Sequence, residues 1–290
     1  MTPPSSRDRA GGAGGATAHR PFSRVVTLAS CGSTNTELLE RRRAQPQQWP
    51  HLSVLRAEDQ RAGRGRLDRE WVTPPGQALT ASLLLEPDRP LPQWPTLSLV
   101  AALAVVRALR GRGLDAAVKW PNDVIVRSQA RLEVPGWGRA RKVAGILAQV
   151  VPAPTAGNGA QALVLGIGVN CEQREFPVPW ATSLAACGAP IRPATMLGLI
   201  GIELTALLGR WRSRGFVDLR AAVTEALDTL GQRVEVQEAG ARVVGDVVGL
   251  EESGSLVLRR LDGRRHSLTS GDVSRVRRAE REAPGSDGES

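Results

Sequence analysis

The sequence predicts an α/β protein with a small all-β module at its C-terminal end. Two observations carry this. Between Ser23 and Leu230, runs rich in Val, Ile and Leu alternate with runs whose apolar residues recur at helical spacing. After Gly231 the pattern changes to short strand-like runs at turn spacing, which suits a β-barrel of about fifty residues. At 290 residues with 41% apolar content, the chain has enough material for one large domain or for a medium and a small one.

Taken in order, "SRVVTLA" reads as a first strand. "STNTELLERRR" follows as a helix, with Thr34 and Glu37 spaced as a capping box. "LSVLRAE" is a second strand and "ALTASLLLE" a third. Leu97, Val100, Ala101, Ala104 and Ala108 place a helix over 96–109, apolar nearly all round and therefore buried. "AAVKW", "DVIV", "KVAGILAQVV" and "ALVLGIGVN" read as strands, and 195–212 and 218–230 as helices. The last module divides into "RVEVQE", "ARVVGDVVGLE", "GSLVLRRLDG" and "RRHSLTSGDV". Residues 1–20 and 279–290 are polar or small and read as disordered tails, leaving 21–230 and 231–278 as the two domains.

Composition narrows the class. No run of about 18 apolar residues suggests a membrane span, and the first twenty residues lack the apolar stretch of a secretory signal. Cys31, Cys171 and Cys187 are odd in number and lack metal-ligand spacing, which suits reduced thiols in the cytoplasm. A net charge of +9 raises the alternative of a DNA-binding regulator. The charge is almost all arginine, however. Only Lys119 and Lys142 are lysine among 38 basic residues, so the basicity follows a general compositional skew. His19, His51 and His266 are isolated and give no hydrolytic triad.

Departures from that skew mark the motifs. Both lysines lie in compact motifs, "KWPND" and "RKVAGIL". Three of the four asparagines lie in "STN", "PND" and "GIGVN" (Asn35, Asn122, Asn170). "QRAGRGRLDREW" sets Arg64 and Arg66 among Gly63 and Gly65, unsuited to helix or strand and suited to a loop that wraps an anion. Plain structural readings stand beside these: a helix N-cap for "STN", a solvated loop for "GRGRLDREW", a turn for "PND" and a core strand for "KVAGIL". Strand alternation puts Lys142, Ala144 and Ile146 on one face and Gly145 on the other.

In order and approximate spacing, Ser33-Thr34-Asn35, Gln60, "GRGRLDREW", "KWPNDV", "RKVAGIL" and "GIGVN" resemble the biotin protein ligases, and "GDVVGLEESGSLVLRRLDGRRHSLTSGDVSRVR" resembles their C-terminal domain. The resemblance spans 24–278. It implies a catalytic domain like that of class II aminoacyl-tRNA synthetases and an SH3-like barrel. It also implies biotin and ATP as substrates, Mg²⁺, biotinyl-5′-AMP as intermediate, and a lysine of a biotin carboxyl carrier protein as acceptor. By the same resemblance Lys142, Arg64, Arg66 and Lys119 are catalytic and Asp123 holds the metal. Ser33, Thr34, Asn35 and Gln60 meet the biotin ring system; Arg64, Gly65 and Arg66 close over the adenylate; Arg69 adds a phosphate contact. Gly145 and Gly166 make room on the sheet, while Asn170 and Trp180 lie toward the nucleotide. Lys119 and Lys142 are expected on neighbouring strands joined by the insert 127–140, to which the resemblance gives no role. Leu67-Asp68 stands where many relatives carry a glycine before the third arginine. Thirty-odd residues before "STN" are too few for a DNA-binding winged helix, so no repressor activity and no specific DNA binding are expected. Lipoate-protein ligase, of the same architecture, is the alternative within the fold. Oligomeric state stays open, a homodimer included.

Overall fold

The computed structural model describes residues 21–127, 133–151, 161–238 and 241–275. The expected terminal tails, residues 1–20 and 279–290, lie outside the described residues, as do Asn158 and part of the 127–140 insert.

Seven strands form one mixed sheet: β1 (Arg24–Cys31), β2 (Ser53–Gln60), β3 (Ala78–Leu85), β4 (Ala116–Lys119), β5 (Asp123–Arg127), β6 (Ala140–Val151) and β7 (Ala162–Asn170). Their order across the sheet is β1-β2-β3-β7-β6-β5-β4. Only the β1–β2 pair is parallel. Helix α1 (Thr34–Ala44) makes that crossover, as parallel neighbours require.

The two faces of the sheet are treated differently. One is covered by α2 (Thr96–Arg110) and α3 (Pro193–Arg214). Twelve of the fifteen α2 residues are buried, as its all-round apolar pattern anticipates. By length and composition alone α3 could cross a membrane. Here it packs against α2 and buries eight residues, Met196, Leu204 and Trp211 among them. The opposite face carries α1 over a smaller core of Leu38, Trp49, Leu55, Leu84, Val151, Ala162 and Val164. Full burial of each leucine or valine among them contributes about 1.5–3 kcal/mol. Beyond the α1 N-terminus this face is open.

The α/β class with a small C-terminal β module is borne out. The last strands, β8 (Arg233–Glu238), β9 (Ala241–Leu250), β10 (Leu256–Arg259), β11 (Arg265–Leu268) and β12 (Asp272–Arg275), form an antiparallel sheet ordered β11-β10-β9-β8-β12. Its apolar residues, such as Val234, Val247, Leu258 and Val273, join the core beneath α2 and α3. Trp120 Nε1 also donates to the Gly254 carbonyl at 3.0 Å, tying the two sheets together.

Three local expectations need correction. The helix expected over 218–230 contracts to α4 (Arg220–Glu225). The chain then leaves helical geometry to pair with β4: Val118 N donates to Ala226 O and Asp228 N to Val118 O. The capping box is not made either. Ser33 occupies the N-cap position without a side-chain cap, and the Thr34 hydroxyl is drawn to Gln60 Oε1 instead. Finally, β6 does not alternate simply. Its pairing with β5 shifts between Val124 and Ile125, so Val143 and Ala144 are both buried in the core below. This β-bulge returns Gly145 to the same face as Lys142.

Candidate active site

A cavity of about 930 Å³ opens on the sheet face beyond α1. Every site residue that the family resemblance implies lines it: Ser33, Thr34, Asn35, Gln60, Arg64, Gly65, Arg66, Arg69, Lys119, Asp123, Lys142, Gly145, Gly166, Asn170 and Trp180.

One end is a polar cluster built at the start of α1. Gln60 Oε1 accepts from Thr34 N at 2.9 Å and from Thr34 Oγ1 at 3.0 Å. Ser82 Oγ donates to Asn35 Oδ1 at 2.5 Å and lies 2.8 Å from Thr34 Oγ1. Asn35 Nδ2 donates to Gln149 Oε1 at 2.7 Å. A Cβ on Gly166 would come within 2.5 Å of Asn35 Oδ1. Gly166 therefore makes room for Asn35 rather than directly for a ligand. Ser82, which pairs with Gly166 across the sheet, was not singled out from the sequence, although a serine in "ALTASLLLE" was a visible break in an apolar strand.

At the centre, Lys142 Nζ pairs with Asp123 Oδ1 at 2.7 Å and lies 5.5 Å from the centre of the Trp71 ring. Trp71 is the main residue that sequence reasoning left without a role. Its indole lies over β6 and β7, where a Cβ on Gly168 would meet it at 2.7 Å and one on Gly145 at 3.4 Å. Glycine at these positions admits a flat ring against the backbone. Lys119 and Lys142 are not on neighbouring strands, since β5 lies between β4 and β6. Both still line the cavity, because Lys119 sits on β4 just before the "WPN" turn. Lys119 Nζ donates to the Val273 carbonyl of β12 and stands 4.7 Å from the centre of the Trp137 ring.

The Gly-Arg stretch is a short hairpin over the cavity. Trp71 N donates to Gly63 O at 2.9 Å and Gly65 N to Arg69 O at 2.6 Å. A Cβ at Gly63 would meet Trp71 O at 2.4 Å, so only glycine allows this approach. At the tip Leu67 takes φ 55°, ψ 42° and is 72% exposed. Arg66 reaches down to Asn122 Oδ1 at 3.4 Å, and Arg69 pairs with Asp272 of β12. Arg64 stays exposed at the rim. On the far wall, Asn170 Nδ2 donates to Thr182 O at 2.9 Å, which holds the segment carrying Trp180. That segment pairs with β6 through Lys142 N to Trp180 O at 2.7 Å.

Chemically, the site is a cation-lined trough with a polar recess at one end and aromatic surface at the other. Its cations are Arg64, Arg66, Arg69, Lys119 and Lys142. Among the described residues no group of three or more His, Cys, Asp or Glu could hold a metal ion, and Asp123 is the carboxylate nearest the central lysine. Such a site suits an acidic ligand carrying phosphate, held on an α/β domain and flanked by a β module.

Residues 27–170 match the biotin/lipoate A/B protein ligase family, and residues 229–276 match the biotin protein ligase C terminal domain. The biotin–[acetyl-CoA-carboxylase] ligase of Mycobacterium tuberculosis is 33% identical over 282 residues, covering 94% of this chain and 95% of that one. The corresponding ligase of Paracoccus denitrificans is 34% identical over 255 residues, covering 82% and 95%. The bifunctional ligase/repressor BirA of Bacillus subtilis is 28% identical over 221 residues, and the match spans only 63% of its length. Among solved structures, the biotin protein ligase from Aquifex aeolicus in complex with biotin and ATP superposes with a TM-score of 0.68 at 26% identity, covering 87% of this chain and 98% of that one. The chain belongs to the biotin protein ligase family.

Proposed function

We propose that this protein joins biotin to ATP as biotinyl-5′-AMP, releasing pyrophosphate, and then transfers biotin to a lysine of a biotin carboxyl carrier protein. One observation carries the reading: fourteen residues drawn from five separate motifs, together with Trp180, line a single cavity, with Lys142 at its centre. In the first step a biotin carboxylate oxygen attacks the α-phosphorus and the bond to pyrophosphate breaks. Two anions must approach, so fixed cations are needed where charge develops. Lys142 supplies one between the polar recess and the phosphates; Lys119 and the lid arginines supply others. In the second step the carrier amine attacks the acyl carbon, loses a proton, and AMP leaves.

The recess of Thr34, Asn35, Gln60 and Ser82 presents hydroxyl and amide groups suited to the ureido head of biotin. Ser33 stands at its edge, and Arg64, Gly65, Arg66 and Arg69 form the lid. Asp123 is the protein carboxylate for Mg²⁺, which typically keeps several waters and binds through one or two carboxylates plus substrate phosphates. That habit fits a site with a single central carboxylate. The metal would neutralise phosphate charge there. We divide the chain functionally at about residue 230, with the C-terminal module closing the site. Three free cysteines suit a cytoplasmic setting.

Biotin-dependent exchange between ATP and pyrophosphate tests the reading, with lipoate as the second acid. Exchange with biotin and none with lipoate is expected. Exchange with lipoate alone would reassign the substrate, and exchange with neither would refute adenylation. The +9 charge should give only weak, salt-sensitive and sequence-independent DNA binding in a gel shift. A tight, sequence-specific complex would refute that.

A further inference from the structure

The connection from β5 to β6 reaches the cavity, yet neither the motifs nor the family resemblance gives it a role. In its described part, Val134 and Gly138 exchange two backbone hydrogen bonds, each 2.8 Å. This tight turn sets the Trp137 indole on Ala117, Ile125 and Ala140, which come from three successive strands of the open sheet face. Trp137 lies nearly parallel to Trp180, with 7° between the ring planes and 6.2 Å between the ring centres. Both line the cavity, and Trp180 is 37% exposed. Lys119 Nζ stands 4.7 Å from the centre of the Trp137 ring.

Two large rings that serve only as core are normally buried. These stay open to a cavity, aligned, with a phosphate-class cation against one of them. A planar heteroaromatic ring can add to such a stack, and a phosphate chain leaving that ring would meet the ammonium. Resting on the adenylation reading above, we propose that Trp137 is a base-binding residue. With Trp180 it forms an aromatic platform for the purine of the nucleotide and orders the phosphates beside Lys119. The insert thereby acquires a function: it supplies the second ring of the base site.

The test uses the full chain and the variants Trp137→Phe and Trp137→Leu. Leucine keeps apolar bulk on Ala117 and Ile125 without a flat ring. ATP and inorganic tripolyphosphate are titrated calorimetrically in the presence of biotin, and KM is measured for ATP and for biotin. Loss of one base–aromatic stack should weaken ATP roughly tenfold in Trp137→Leu, with most of the loss restored in Trp137→Phe. Tripolyphosphate binding and KM for biotin should not change. The proposal is overturned if folded Trp137→Leu binds ATP as wild type does. It is equally overturned if ATP and tripolyphosphate weaken together, since Trp137 would then only support Lys119. A wild-type chain that binds ATP more tightly than tripolyphosphate but shows no biotin-dependent exchange would sink the ligase reading and support the platform. Equal affinity of the wild type for ATP and tripolyphosphate would sink the platform alone.

Discussion

Gly166→Ala should be costly for a reason that can be isolated. The added methyl would lie 2.5 Å from Asn35 Oδ1 and 3.1 Å from both Cγ and Nδ2. Ordinary contact starts near 3.4 Å, so Asn35 must retreat by up to roughly 1 Å in a site packed to interior density. Asn35 is 5% exposed and is held by Ser82 at 2.5 Å and Gln149 at 2.7 Å. Its movement breaks or strains both bonds, at a net cost of about 0.5–1.5 kcal/mol each. Overpacking adds about 1–3 kcal/mol. The expected loss is therefore about 2–6 kcal/mol of stability, with weakened biotin binding. Urea unfolding of wild type, Gly166→Ala, Asn35→Ala and the double variant forms a thermodynamic cycle. With Asn35 cut back to alanine the methyl meets no amide, so the Gly166→Ala cost should largely vanish. A coupling of at least about 1 kcal/mol is the signature expected of residues in contact. If Gly166→Ala costs the same with and without the Asn35 side chain, the steric argument is wrong.

Lys142→Arg should lose on the order of 10² or more in adenylation, the scale for removing one positioned electrostatic stabiliser, because the planar fork does not fit where an ammonium sits between Asp123 and the Trp71 ring. Lys119→Arg should be milder, and single-turnover rates of both half-reactions distinguish the two; a dead Lys119→Arg beside an active Lys142→Arg would reverse the assignment. Arg66→Gly removes the lid contact to Asn122 but leaves Lys142, so biotinyl-5′-AMP should still form and escape, labelling bystander amines; a variant that makes no intermediate would put Arg66 in the chemical step. His51 Nδ1 accepts from Glu86 N at 3.1 Å, and burial holds its pKa below the ordinary histidine range. The unfolded chain thus takes up this proton first as pH falls, and the His51 contribution to stability should decline from about pH 7 through the lower folded value. Urea midpoints across that range should fall more steeply for wild type than for His51→Gln, and equal slopes would refute the linkage.

The motifs were legible in the sequence because each one breaks a local rule. Glycines alternating with arginines suit neither helix nor strand, and two lysines stand out in an arginine-rich chain. The strands were legible from runs of Val, Ile and Leu. What eluded sequence reasoning depends on contacts between distant segments. The β-bulge that turns Gly145 to the side of Lys142 arises from pairing with β5, which alternation within β6 cannot reveal. The early end of α4 follows from the pairing of Ala226 and Asp228 with Val118, more than a hundred residues away. Trp71 closes the "GRGRLDREW" motif, yet its role emerges only when Gly145 and Gly168 of two other strands are seen beneath it. Trp137 carries no signal beyond being a tryptophan between two glycines of the insert.

The Gly-Arg stretch raises a problem of holding charge loosely. Under the proposed function this stretch must carry cations to a phosphate and still release product. This hairpin is anchored to the sheet at its base, where Gly63 and Trp71 pair and the indole packs on β6 and β7. Further out, its side-chain contacts with the rest of the protein are weak in kind. Arg66 meets Asn122 at 3.4 Å, beyond the optimum for a hydrogen bond. Arg69 and Asp272 are 61% and 48% exposed, and an exposed ion pair contributes only about 0–1 kcal/mol. Leu67 at the tip takes a left-handed conformation, which a residue carrying a Cβ adopts at a small cost. No single contact therefore locks the lid onto the C-terminal module. On the proposed reading, phosphate accepting from the arginine forks would outcompete these partners and draw the hairpin toward the cavity. When pyrophosphate or AMP departs, only weak contacts oppose reopening.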